Sequence, residues 1–107
     1  MDKIVFITGA SSGIGAGCAR KFASQGASLI LNARNVNKLS ALKEELEKQY
    51  GAKIYLLPFD VRDRKAATSA LESLPKEWQS IDILVNNAGL VIGTDKEQEG
   101  SLDEGDI

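Results

Sequence analysis

The residues best suited to chemistry form a glycine-rich run near the N-terminus, T-G-A-S-S-G-I-G from Thr8 to Gly15. The run falls between a predicted strand and a predicted helix, which is the context that a phosphate-binding turn requires. Gly9 permits a tight turn, Gly13 lets the backbone approach a diphosphate, and Gly15 allows the helix to pack closely on the strand. Free N–H groups at a helix N-terminus favour an anion. The run therefore predicts a dinucleotide site, and the alternative is a glycine-rich connector without a ligand. The turn residues predicted to contact the ligand are Gly9, Ser11, Ser12, Gly13, Ile14 and Gly15.

The choice of cofactor depends on the end of the second predicted strand, where the chain reads L-N-A-R-N over residues 31–35. Units that bind NAD usually place Asp or Glu here to hold the ribose 2′-OH. This stretch has no acid, and Arg34 offers a forked, permanently charged guanidinium that suits a 2′-phosphate. The sequence therefore predicts NADP(H), with the Ser12 hydroxyl as a further phosphate ligand. The alternative for Arg34 is a solvated surface residue.

A third candidate position, Asp60-Val61, ends the third predicted strand. The carboxyl ends of strands face the ligand crevice in sheets of this kind. Asp60 is predicted to accept a hydrogen bond from the adenine amino group, with Val61 packed near the ring. The alternative for Asp60 is an ordinary turn aspartate.

The elements that must position these residues alternate between strands and helices. Four apolar runs are nearly continuous, which is typical of strands buried on both faces of a parallel sheet. They are Ile4–Thr8, Leu29–Ala33, Ile54–Phe59 and Ile81–Asn86. Helical spacing fills the gaps: Ile14, Cys18 and Phe22 in the first helix; Leu39, Leu42 and Leu46 in the second; and Ala67, Ala70, Leu71 and Leu74 in the third. Gly26 and Gly51 are predicted stops, Asp63 a predicted N-cap, and Pro75 the end of the third helix.

This order predicts an α/β fold, a Rossmann-like doubly wound parallel sheet with strand order 3-2-1-4. Pro58 cannot donate to a strand ladder, which puts the third strand at an edge. The first two helices should cover one face and the third part of the other. Residues 1–89 are then a dinucleotide-binding half-domain, and residues 90–107 an acidic loop or tail that stops at the start of a further element. That tail carries Ser101 and Glu104 at capping-box spacing.

Together, T-G-A-S-S-G-I-G, D60-V61 and N86-N-A-G89 resemble the short-chain dehydrogenase/reductase family, over about residues 3–107. The resemblance implies that Asn87, Ala88 and Gly89 lie beside the adenosine ribose and the nicotinamide. The stretch from Ser73 to Asp95 is further similar to the NADP-dependent 3-hydroxy acid (serine) dehydrogenase subgroup. N32-A-R-N35 is similar to the segment of that subgroup that usually carries two arginines. Arg34 matches the first of them, and Asn35 stands where the second is common. Asn35 is therefore a second candidate for contact with the 2′-phosphate.

The family's chemistry implies a Ser, a Tyr-x-x-x-Lys and a helix-borne Asn, all C-terminal to N-N-A-G. Tyr50 is followed four residues later by Ile54, and Tyr55 by Phe59, so neither pairs with a Lys. A Tyr acts as a general acid or base only when a nearby cation lowers its pKa from about 10. No catalytic residue is therefore predicted, and we expect the chain alone to be inactive.

Composition narrows the remaining possibilities. A net charge of −2 and a pI of about 5.1 argue against nucleic-acid binding. No apolar run approaches the roughly 20 residues of a membrane span, and no signal peptide precedes the first strand. Cys18 is the one cysteine and there is no histidine, so we predict no metal site and a cytoplasmic location.

Three functions stay open from the sequence. The first is the NADP(H)-binding N-terminal half of a dehydrogenase that oxidises a hydroxy acid or alcohol in its full-length form. The second is a non-catalytic NADP(H)-binding regulatory or interaction module, and the third is a relic that no longer binds nucleotide. Because the fourth strand would be an exposed apolar edge, we also expect self-association through it.

Overall fold

A four-stranded parallel sheet with helices on both faces makes up the part of the chain that a computed structural model describes, residues 2–90. The strands are β1 (Ile4–Thr8), β2 (Ser28–Leu31), β3 (Ile54–Leu56) and β4 (Ile83–Asn86). The helices are α1 (Gly13–Ser24), α2 (Val36–Tyr50) and α3 (Arg64–Glu72), and a 3-10 turn covers Lys76–Trp78. The strand order β3-β2-β1-β4 and the parallel pairing confirm the predicted doubly wound arrangement.

Three strands are shorter than their apolar runs suggested. β2 ends at Leu31, and the side chain of the next residue, Asn32, binds the carbonyls of Leu57 and Phe59 after β3. β3 ends at Leu56, two residues before Pro58, and lies at the sheet edge as predicted. β4 starts at Ile83. The residue before it, Asp82, accepts a hydrogen bond from the Ile4 N–H with its carboxylate at 2.9 Å. Polar or proline residues at the ends of the apolar runs therefore set the strand boundaries.

The buried side of α1 consists of small residues, and not all of the apolar residues at helical spacing lie on it. Cys18 and Phe22 are half-buried against the core, but Ile14 is 74% exposed. The residues of α1 that are buried are Gly15, Ala16, Ala19 and Ala23. Small side chains let the helix backbone lie close to the sheet, and the first turn then directs Ile14 outward.

Helix α2 and both helix stops agree with the sequence pattern. Leu39, Leu42 and Leu46 are buried and pack on the same face of the sheet as α1. Gly51 has φ +64° and caps α2 in the left-handed conformation that glycine adopts without steric penalty. Gly26, just past α1, likewise has φ +87°.

The opposite face of the sheet is covered by α3 and the 3-10 turn. The Asp63 side chain accepts a hydrogen bond from Ala66 N–H at 3.1 Å, which confirms the predicted N-cap. α3 ends at Glu72 rather than running to Pro75. The 3-10 turn that follows was not predicted; it buries Trp78, whose ring centroid lies 5.6 Å from that of Tyr55. The buried cluster on this face comprises Phe6, Ile30, Leu57, Phe59, Ala67, Leu74, Trp78 and Leu90.

Leu90, the first residue of the expected tail, is therefore part of the packed core. The rest of that tail, with the capping pair of Ser101 and Glu104, lies outside the described residues. None of the helices between residues 2 and 90 combines the length and the apolar character that crossing a membrane demands.

Candidate functional site

The glycine-rich turn joins the carboxyl end of β1 to the first turn of α1. Gly9 has φ +62°, and a Cβ there would lie 2.9 Å from the Asn87 amide nitrogen, so the predicted need for glycine is confirmed. A Cβ at Gly15 would lie only 2.1 Å from the Gly9 carbonyl oxygen, which confirms the predicted close packing of helix on strand. These two glycines fix the shape of the turn.

Ser12 caps α1, and its hydroxyl makes three hydrogen bonds within the described residues. Its Oγ accepts from Gly15 N–H at 3.1 Å and from the Asn87 amide at 2.9 Å, and it donates to the Gly9 carbonyl at 2.9 Å. The role of this hydroxyl as a phosphate ligand stays a prediction. Ser11, the neighbouring residue, has a hydroxyl without a hydrogen-bond partner among the described residues.

The first turn of α1 keeps backbone donors that nothing in the described chain satisfies. Within residues 2–90, the N–H groups of Ser11, Gly13 and Ile14 have no hydrogen-bond acceptor. A Cβ built at Gly13 meets no atom within 4 Å, so open space adjoins this backbone. Unpaired donors at a helix N-terminus, with the positive end of the helix dipole, form an anion site.

The N-N-A-G segment is fastened to this turn across the β1–β4 pairing, in which Thr8 lies opposite Asn86. Thr8 Oγ1 donates to Asn86 Oδ1 at 3.0 Å and accepts from Ala88 N–H at 3.0 Å. The Asn87 amide donates to the Gly9 carbonyl at 3.1 Å. The two sequence motifs therefore form one hydrogen-bonded unit.

Asn32 is a structural residue of the site to which the sequence analysis gave no role. Its side chain is buried, with 1% exposure. Its amide nitrogen donates to the carbonyls of Leu57 and Phe59, both at 3.1 Å, and its Oδ1 accepts a long 3.5 Å bond from Gly9 N–H. Asn32 thus ties together the chain segments that follow β1, β2 and β3. A polar residue directly after a buried apolar strand was the signal that could have found it.

A cleft of about 330 Å³ opens at the carboxyl ends of β1, β2 and β3. Its lining is Gly9, Ser11, Asn32, Ala33, Arg34, Phe59, Asp60, Val61, Arg62 and Ala88. It therefore brings together predicted site residues from the glycine turn, from both later strand ends and from N-N-A-G. The candidates outside this lining are Ser12, Gly13, Ile14, Gly15, Asn35, Asn87 and Gly89. Asn35 caps α2 and lines an adjoining recess of about 630 Å³ with Ser11, Arg34, Val36 and Lys38.

Two arginines and one carboxylate define the charge of this cleft. Arg62 Nη2 lies 2.8 Å from Asp60 Oδ2, and Arg62 Nε and backbone N–H both donate to Asp60 Oδ1. These hydrogen bonds, the side-chain ones foremost, lower the pKa of Asp60 to about 2. Arg34 Nη1 is 3.9 Å from Asp60 Oδ2, and its side chain is 69% exposed. Arg62 was not predicted as a site residue, because no sequence motif includes it and its place in the cleft lining is known only from the structure. Residues 2–90 gather no metal-binding group of three His, Cys, Asp or Glu side chains.

A parallel doubly wound sheet with an anion-binding helix N-terminus at its carboxyl edge defines a Rossmann-like nucleotide-binding unit. The sequence profile of the short chain dehydrogenases matches residues 3–106. The chain belongs to the short-chain dehydrogenase family, as its motifs predicted.

The narrower resemblance is also confirmed by relatives and by solved structures. The chain is 43% identical over 101 residues to the "NADP-dependent 3-hydroxy acid dehydrogenase YdfG" of Escherichia coli O6:H1, covering 94% of this chain and 39% of that protein. It matches the crystal structure of serine dehydrogenase from Escherichia coli with a TM-score of 0.73 and 46% identity, covering 83% of this chain and 39% of that one.

A further similar structure is L-sorbose reductase from Gluconobacter frateurii, solved with NADPH and L-sorbose. The TM-score is 0.76 at 38% identity, with 82% of this chain and 34% of that chain covered. The chain therefore spans about two fifths of the length of the first curated relatives that it matches.

Proposed function

We propose that this chain binds NADP(H) in the cleft at the carboxyl edge of its sheet, as the cofactor-binding half of a dehydrogenase acting on a hydroxy acid or alcohol. The observation that carries the proposal is the set of N–H groups at Ser11, Gly13 and Ile14 that have no acceptor within residues 2–90, next to the open space at Gly13. Backbone donors in this arrangement match the oxygens of a diphosphate. Residues 1–89 are the proposed half-domain, to which the packed side chain of Leu90 also belongs.

The phosphorylated cofactor is favoured by charge. Arg34 lies at the outer side of the cleft, exposed, and no acidic side chain follows β2 to hold a ribose 2′-OH. Its guanidinium suits a phosphoryl group. The relatives named NADP-dependent and the related reductase solved with NADPH support the same choice.

Each part of the cleft has a proposed role toward the cofactor. The turn amides hold the diphosphate, Arg34 and Asn35 flank the 2′-phosphate, and Asp60 and Val61 border the adenine. Asn87, Ala88 and Gly89 adjoin the ribose and nicotinamide. We also propose that the free Ser11 hydroxyl serves the phosphate, since Ser12 is occupied as a cap. NADP(H), when bound, supplies the hydride donor or acceptor, while this chain's residues orient it.

Two matched glycine variants test the binding site. Neither Gly13 nor Gly17 has an atom within 4 Å of a built Cβ, and both belong to α1. Gly13→Ala should fold normally but weaken NADPH binding by roughly tenfold or more, or about 1.4 kcal/mol, because the methyl group intrudes on the diphosphate. Gly17→Ala should leave the affinity unchanged. Titration calorimetry on the 107-residue chain measures both, and equal affinities for NADPH in the two variants would refute the site.

A second candidate function is a non-catalytic NADP(H)-binding module. It needs only the turn amides and the cleft that residues 2–90 already provide. Both candidates require NADPH binding, and a hydride-transfer assay with 3-hydroxy acids on a full-length form, rather than on this chain alone, separates them. If the parent chain shows no heat of binding with NADPH, both fail and a relic without nucleotide binding is the better description.

We further propose self-association through β4, in a cytoplasmic setting. β4 is the last strand on its side of the described sheet, and Leu84 on it is 44% exposed. Its apolar surroundings support a contact with a second copy. Sedimentation velocity at micromolar concentration tests the association. The cytoplasmic setting is supported by the single cysteine, Cys18, which has no second cysteine in the sequence to pair with.

A further inference from the structure

The Asp60 carboxylate lies between two arginines that reach it from different parts of the chain. Arg62, two residues further along, binds it through Nη2 at 2.8 Å, Nε at 3.1 Å and its backbone N–H at 2.9 Å. Arg34, from the end of β2, approaches no closer than 3.9 Å and makes no hydrogen bond to it. All three residues line the same cleft. The carboxylate is therefore hydrogen-bonded to Arg62, whereas Arg34 lies near it without a hydrogen bond.

This division matters because Arg34 faces two competing anions. A carboxylate 3.9 Å away is close enough to pair with it, and it would also repel a phosphate arriving at the same guanidinium. Arg62 neutralises that carboxylate through a bidentate contact, which is the strongest geometry for such a pair. The charge left over in the cluster is one positive charge, and it belongs to Arg34.

We propose that Arg62 is a positioning residue that sets the preference for the phosphorylated cofactor, by occupying Asp60 and so keeping Arg34 available for the 2′-phosphate. The inference rests on the proposed binding of NADP(H) in this cleft. The lowered pKa of Asp60 agrees with it, because its first cause is the side-chain hydrogen bond from Arg62. Arg62 itself need not touch the cofactor.

The experiment compares NADPH with NADH on the full 107-residue chain at one fixed salt concentration. Dissociation constants are measured by titration calorimetry for the parent, Arg62→Gln, Asp60→Asn and the double variant. Arg62→Gln should lower the preference for NADPH over NADH by about three- to tenfold, since an uncompensated carboxylate then stands beside Arg34. The affinity for NADH should change by less than about twofold, because that cofactor brings no 2′-phosphate.

The double variant supplies the decisive arm. Once Asp60→Asn has removed the carboxylate, adding Arg62→Gln should no longer change the preference. A preference that still falls in the double variant would mean that Arg62 contacts the phosphate directly, and would overturn the inference. Equal weakening of NADPH and NADH by Arg62→Gln would also overturn it, since that is the mark of a merely structural role.

Arg64→Gln is the matched control, because it removes the same charge from the first turn of α3, outside the lining of this cleft. The preference of Arg64→Gln for NADPH over NADH should equal that of the parent.

A second readout is the pKa of Asp60, measured from its carboxyl resonance by carbon NMR. Its pKa should rise in Arg62→Gln from about 2 toward the ordinary value of about 3.9. A parent that binds neither cofactor would overturn the proposed function and this inference together; a parent that binds NADPH, with an unaltered preference in Arg62→Gln, overturns the inference alone.

Discussion

Gly13 and Gly15 stand two residues apart in the same turn, but their surroundings are opposite. A Cβ at Gly15 would meet backbone atoms of Gly9 and Ala10 at 2.1 to 2.9 Å, whereas one at Gly13 would meet open space. Backbone cannot move aside as the end of a flexible side chain can. Gly15 is therefore required by the fold, while the space beside Gly13 is open to the proposed ligand.

Gly15→Ala should consequently damage stability. We expect the free energy of unfolding to fall by about 1–3 kcal/mol, the usual effect of forcing extra volume into a packed contact. Urea unfolding followed by circular dichroism measures it. Gly17→Ala is the control on the same helix: its Cβ has free space, so stability should stay equal or rise by about 0.5–1 kcal/mol. A Gly15→Ala variant as stable as the parent would contradict the assigned contact.

Single residues were predictable only where their partners lie close by in the chain. The contact of Gly15 and the positive φ of Gly9 belong to a local turn, so spacing was enough to find these roles. The partners of Asn32 are Gly9, Leu57 and Phe59, which lie 23 to 27 residues away in sequence. These contacts exist only because β1 and β3 flank β2. Asn32 could not be assigned its role before the strand order was known.

At the scale of elements, two of the helix caps could be predicted, whereas the N-caps Ser12 and Asn35 were given only ligand roles. Asp63 and Gly51 act through backbone groups within a few residues, and both are caps in the structure. The apolar spacing of α1 indicates a helix but does not reveal its buried side, because that spacing takes no account of how close a helix lies to its sheet. Small residues decide that approach, and hydrophobicity alone does not reveal it.

Helix α3 should depend strongly on its cap, because it has nine residues and buries only Ala67 fully. A helix of this length is not stable by propensity alone. Asp63→Ala should lower the free energy of unfolding by about 1 kcal/mol, since the Ala66 N–H loses its acceptor. Asp63→Ser should recover most of the loss, because a serine hydroxyl also caps. Chemical denaturation of the three chains compares them, and a loss that serine does not recover would point to the charge rather than the cap.

At the scale of the whole molecule, the two faces of the sheet are covered unequally by the elements within residues 2–90. α1 and α2 pack over one face, and α3 with the 3-10 turn covers the other on the β3 side. Next to β4 that second face carries a groove of about 340 Å³, lined by Phe6, Leu71, Leu74, Gln79, Ile81 and Leu84. Gln79 is the one polar side chain in this lining. The layers of helices on the sheet could be predicted from the order of strands and helices. The groove could not, because it depends on side-chain packing between elements that are distant in sequence.

The groove and the edge of β4 together make the proposed contact between two copies. Leu84→Glu should reduce self-association, because a carboxylate on this strand would have to be buried against its partner. The side chain is 44% exposed in the single chain, so the glutamate reaches water and the fold should persist. Val36→Glu is the control, since Val36 is 47% exposed but lies on α2. In sedimentation velocity we expect Leu84→Glu to shift toward the monomer and Val36→Glu to match the parent. A parent that sediments as a monomer, or two variants that associate alike, would show that β4 is not the contact.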